Sequence, residues 1–80
     1  MSAQDKPVLQ TIVFNKLIPR NVVTSWLRRH GYRWALDEKA NTWRARQLDP
    51  RMFQPNTYFT KTILEGINFV FAKLKKEYQL

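Results

Sequence analysis

The sequence predicts one small α+β domain: a mainly antiparallel sheet of three to five strands with a single helix, residues 19–30, packed on one face. Three observations predict it. Residues 19–32 (PRNVVTSWLRRHGY) carry helical periodicity and two marked ends. Several other short stretches are rich in β-branched and aromatic residues at strand length. The 80 residues suffice for one modest core and no more.

Taken in order, residues 1–6 (MSAQDK) are polar and expected to fray. Residues 8–14 (VLQTIVF) read as a strand. Neither of its faces is strongly polar, which predicts a central position in the sheet. Leu17 and Ile18 precede the helix as a candidate hydrophobic staple. Pro19 suits a first helical position, where a missing N–H costs nothing. Val22, Val23, Trp26, Leu27 and His30 fall on one helical face. Gly31 supplies the left-handed residue that ends the helix, with Tyr32 as the hydrophobic partner of the cap.

Residues 33–36 (RWAL) and 42–48 (TWRARQL) read as a β-hairpin across the polar turn 37–41. In the second strand Trp43 and Ala45 alternate with Arg44 and Arg46, which places the aromatic inward and both arginines on one outer face. Two prolines make residues 49–56 a connector, with a single helical turn at Pro50 and an anchor at Met52 and Phe53. Residues 58–64 (YFTKTIL) are strand-like and end at Glu65-Gly66. Residues 67–78 satisfy both periodicities, and the β-branched and aromatic content of INFVF favours a strand to about Ala72. The basic residues beyond it form a tail, helical or disordered, over 74–80. The ordered core is thus expected over about 8–73.

Lys and Arg total 14 against 6 acids, a net charge of +8. Such an excess fits a polyanionic partner: nucleic acid first, DNA before RNA, and an acidic membrane surface second. The plain alternative is charge that keeps a small protein dissolved, or that meets an acidic protein. With no Cys, disulfides, thiolate metal sites and cysteine nucleophiles are excluded. No apolar run approaches a membrane span, and no signal peptide is visible. The reading is an intracellular, soluble protein with no cofactor.

Arg44 and Arg46 are the sharpest candidates. Paired on one strand face they suit successive phosphates, and Lys61 on a neighbouring strand would extend the patch. The alternative is a solvated face paired with Asp37, Glu38 or Glu65. Arg28, Arg29 and Arg33 form a second cluster, which complementing the helix dipole explains as well as phosphate does. Lys73, Lys75 and Lys76 suit an electrostatic arm. Trp34, Trp43, Tyr58 and Phe59 are candidates for stacking on unpaired bases, against the commoner role of core aromatics. His30, the single histidine, has no partners for a metal site. There is no glycine-rich phosphate loop or nucleophile elbow, so the chain does not read as an enzyme.

The ordered set Trp26-Leu27-x-x-His30-Gly31-Tyr32, then Arg44-x-Arg46-Gln47-x-Asp49-Pro50-x-x-Phe53, then Thr60-Lys61-x-Ile63 and Gly66-Ile67-x-x-Val70 resembles a small domain family. That family occurs in tailed bacteriophages and large DNA viruses of eukaryotes. The resemblance covers about residues 11–73. Ala45 stands where the family pattern is aromatic, and Phe71-Ala72 replaces an Ile-Gly-like ending. It implies a viral α+β domain in the infected host's cytoplasm or within the virion, and it supplies no activity.

The combined expectation is a small viral accessory protein that binds nucleic acid with little sequence preference. The competing reading is a protein-interaction module in virion morphogenesis, or an inhibitor of a host enzyme, binding an acidic partner. One continuous positive face holding Arg44, Arg46 and Lys61 would favour nucleic acid. Scattered charge beside an exposed apolar patch would favour a protein. An unpaired edge, at residues 58–64 or in the last strand, would permit a homodimer.

Overall fold

The structure, a computed structural model, describes residues 6–79. The expectation of fraying falls mainly on residues 1–5, outside the described residues. The chain runs β1 (Val8–Asn15), α1 (Arg20–Arg29), β2 (Asp37–Glu38), β3 (Thr42–Arg46), β4 (Phe59–Leu64) and β5 (Ile67–Ala72). The five strands form one antiparallel sheet in the order β2-β3-β1-β5-β4, and α1 packs on one face. The protein is therefore α+β.

β1 is central, as its two apolar faces require. Its Ile12 and Phe14 join Trp43, Ala45 and Ile67 beneath Val23 and Leu27 of α1. On the other face Thr11 and Val13 lie opposite Arg46 and Arg44 of β3. A bulge between Leu9 and Thr11 leaves Gln10 outside the β1–β5 register. Its carbonyl accepts from Gln47 and Leu48, and its side-chain amide donates to Leu48.

The helix begins one residue later than its proline suggests. Pro19 is the N-cap, with extended ψ, and its carbonyl accepts from Val22 and Val23. The end is a Schellman motif: Tyr32 N–H donates to Leu27 C=O at 3.0 Å and Gly31 N–H to Arg28 C=O at 3.2 Å. Gly31 takes φ +77°, the left-handed conformation the motif needs. Tyr32 stacks on Trp26 and meets Phe69 edge-on. The buried stripe is narrower than its letters suggest, with Val22 exposed beside Val23 and Leu27. Leu17 is 89% exposed, so of the proposed staple only Ile18 packs on the core.

The hairpin into β3 is displaced from its sequence reading. Residues 33–36 are not a strand; β2 is Asp37–Glu38, joined to β3 by the turn 39–41. The reason is local. The Gln47 amide bonds both backbone groups of Arg33 at 2.9 Å, and Leu36 turns into the core. Pro50–Met52 forms one 3-10 turn, capped by Asp49 accepting from Arg51 N–H, and Phe53 is buried below it. β5 resolves the ambiguity of the last third as a strand. The tail is neither a long helix nor a loose end across 74–79: Leu74 bridges Phe53, and Lys75 N–H donates to Met52 C=O at 2.8 Å. A single 3-10 turn follows at Lys76–Tyr78.

Candidate nucleic-acid interface

Strand alternation in β3 separates its side chains by chemistry. Trp43 and Ala45 go beneath α1, while Arg44 and Arg46 stand exposed on the face that no helix covers. Trp43 is 9% exposed, and its indole N–H donates to Ile18 C=O at 3.0 Å. Lys16 and Arg20 lie over its ring at 4.9 and 5.8 Å. Trp43 is thus a core residue with a satisfied polar atom, and the expectation that it stacks on bases is corrected.

Both arginines keep their charge available. Asp37 lies across from Arg44, yet the ion pairs among the described residues are Lys16–Glu38 and Arg51–Asp49. Asp49 sits near Arg46 but is engaged elsewhere. The Arg51 guanidinium and backbone N–H bond its carboxylate and hold it down at about 2, with Arg46 a minor contributor. Glu38 is likewise held below its ordinary value by the Lys16 ammonium.

Around the pair, the surface forms three adjoining grooves. The first, about 270 Å³, is lined by Thr11, Lys39, Arg44, Arg46 and Tyr58. The second shares Arg44, Arg46 and Asp37 with it and continues to Ala35. The third shares Ala35 and is lined by Arg33 and Trp34. Trp34 is 52% exposed, with the Arg28 guanidinium 5.0 Å from its ring. Sequence-separated candidates Arg33, Trp34, Arg44, Arg46 and Tyr58 thereby border grooves that adjoin through Ala35, while Arg28 lines the groove on the outer surface of α1 and reaches only the Trp34 ring. The sequence reading missed Lys39 and Thr11; without the true position of β2, nothing marked a turn lysine as bordering this face.

Other candidates lie elsewhere. Lys61 does not extend the patch. It pairs with Phe69 and so lies on the helix side, on the far-edge strand, with β1 and β5 between it and β3. The register settles this, because Thr60 and Thr62 take the helix-free face in its place. Arg29 borders a groove on the outer surface of α1 with Asn21, Thr24 and Ser25. Lys73 and Lys75 are fixed by backbone bonds to the 50–57 connector: Lys73 C=O accepts from Gln54 N–H, its own N–H donates to Thr57 Oγ1, and Lys75 N–H donates to Met52 C=O, while Lys76 opens the 3-10 turn that follows. They form no free arm.

His30 stacks on Trp26 at 4.0 Å, its Nδ1 2.8 Å from the Trp26 carbonyl. No cluster of three or more potential metal-ligating side chains exists among the described residues. No helix among them is long and apolar enough to cross a membrane. No protein-family model, curated protein or solved structure matches the chain, so its function is argued from this geometry.

Proposed function

We propose that the protein binds nucleic acid with little sequence preference, single strands ahead of duplex and DNA ahead of RNA. The observation that carries the reading is the Arg44/Arg46 pair. Two guanidinium groups that form no ion pair among the described residues share a helix-free face, and adjoining grooves, lined also by Asp37, connect them to exposed Trp34 and Tyr58. Residues two apart on a strand are separated by about 7 Å, so each arginine can take its own phosphate. Aromatic rings beside a cationic groove give stacking platforms for unpaired bases whatever their identity. The setting we propose is that of a small viral accessory protein, in the host cytoplasm or the virion, as the motif resemblance implies.

The test is fluorescence anisotropy of labelled single-stranded and duplex oligonucleotides across salt concentrations. Binding that weakens steeply with salt, tighter for single strands, supports the reading. Absence of binding at low salt sinks it. A second reading, protein binding, is favoured by the discriminator set out from the sequence: Lys61 lies across the sheet from Arg44 and Arg46, so the three share no continuous face, and β4 exposes the apolar Phe59, Ile63 and Leu64.

A further inference from the structure

An acid sits where a polyanion is to bind. Asp37 lines both of the grooves that hold Arg44 and Arg46, and of the described residues it is the one carboxylate that does so. The pairing of β2 with β3 puts it there. Asp37 is the register partner of Arg44 and Glu38 that of Trp43, so Asp37 shares the helix-free face and Glu38 takes the other. Glu38 is engaged by Lys16. Asp37 is exposed and, although directly across from Arg44, forms no ion pair with it among the described residues.

One of the two grooves runs from the arginines past Asp37 to Ala35, where the Trp34 groove begins. A single strand with its phosphates on Arg44 and Arg46 and a base on Trp34 therefore passes this carboxylate. A phosphate beside Asp37 meets like charge, so the group facing it must be a base edge. Adenine, cytosine and guanine each carry an exocyclic amino group, a donor that a carboxylate accepts from, as Asp does from the amino group of cytosine. Such a bond gains from the charge of its acceptor. Uracil and thymine present one N–H set between two carbonyl oxygens, and those oxygens repel a carboxylate.

We propose that Asp37 is a specificity-determining residue. Its carboxylate accepts from the amino group of a base lying between the arginine pair and Trp34, and the groove thereby prefers single strands of amino-bearing bases to strands of uracil or thymine. This rests on the nucleic-acid reading and refines it, because the preference is for a base chemistry and not for a sequence. The arginines hold any strand by its phosphates, and the acid between them and the indole discriminates among the bases they bring.

The test is anisotropy of labelled oligo(dC) and oligo(dU) of equal length at low salt and neutral pH. The two share a backbone and ring size and differ on the base edge, where cytosine has the amino group and uracil a carbonyl. Wild type should bind oligo(dC) about fivefold more tightly, the low end for one base contact at an exposed position. Asp37→Asn should tighten binding of oligo(dU) and bring the ratio close to one, with unchanged circular dichroism. Glu38→Gln removes the same charge one residue along, on the other face, and should leave the ratio as in wild type. Equal binding of the two oligonucleotides by wild type overturns the proposal. So does Asp37→Asn tightening both equally, since the carboxylate then only offsets the arginines, and so does a ratio that collapses in Glu38→Gln as well. Absence of binding to either oligonucleotide overturns the nucleic-acid reading itself, and this proposal with it.

Discussion

Replacing both Arg44 and Arg46 by Ala removes the central pair of cations from the groove. Neither forms an ion pair among the described residues and both are exposed, so the fold should be unchanged. On single strands each phosphate neutralised contributes about 0.7 to the slope of log affinity against log salt, so the double variant should lose about 1.4 of slope. Between about 50 and 200 mM salt, the wild type should therefore lose about sevenfold more affinity than the variant. Anisotropy titrations at four or five salt concentrations read this directly. Lys61→Ala is the internal comparison: it removes one charge from the other side of the sheet and should leave the slope unchanged. If Lys61→Ala and the double variant lower the slope equally per charge removed, net charge alone drives binding, and the groove argument is refuted.

Trp34→Ala should weaken single-strand binding by about 1–3 kcal/mol, as loss of a stacked base does, and leave duplex binding little changed in the same titrations. Leu27→Ala, at a fully buried site under α1, should cost about 2–5 kcal/mol in urea unfolding. Gly66→Ala should destabilise more than Gly31→Ala. Both glycines have positive φ, but a Cβ at Gly66 meets Ile18 Cδ1 at 3.2 Å, whereas one at Gly31 meets nothing within 4 Å; urea midpoints rank them. The Asp49 carboxyl is held below its ordinary 3.8 in the folded protein, so its contribution is fully present above that value and is lost as pH falls towards 2. Asp49→Asn should accordingly flatten the stability–pH curve in that window, measured by thermal unfolding.

Where local chemistry decided the outcome, the sequence was readable. Gly31 and Tyr32 announced the helix end, and VLQTIVF announced a central strand. Asp49-Pro50 announced a turn, and INFVF a strand over a helix. Where the outcome depended on a distant partner, it was not. Residues 33–36 look like a strand until Gln47 takes the Arg33 backbone groups and leaves β2 to Asp37–Glu38. Alternation shows that Lys61 shares a side with Phe59, but only the register with β5 says which side, and only the strand order says how far from Arg46. Trp43 was readable as inward-facing from its alternation with the arginines. The carbonyl of Ile18 that receives its N–H comes from 25 residues away.

The order of the sheet also says where the molecule can be divided. β2, β3, β1 and α1 all lie before the 50–57 connector, and β4 and β5 after it. Cutting the chain near Asn56 severs no strand, and the pairing across the cut is β1 against β5, beside the Phe53–Leu74 bridge and its flanking backbone bonds. That seam runs from Val8 to Phe14, and Ile67 belongs to the core beneath α1. The two pieces are therefore complementary halves of one core, and each leaves the other's apolar surface open to water when alone. Mixed, the two pieces should regain together, by circular dichroism, the sheet that neither can hold alone, since only β5 returns β1 to its middle.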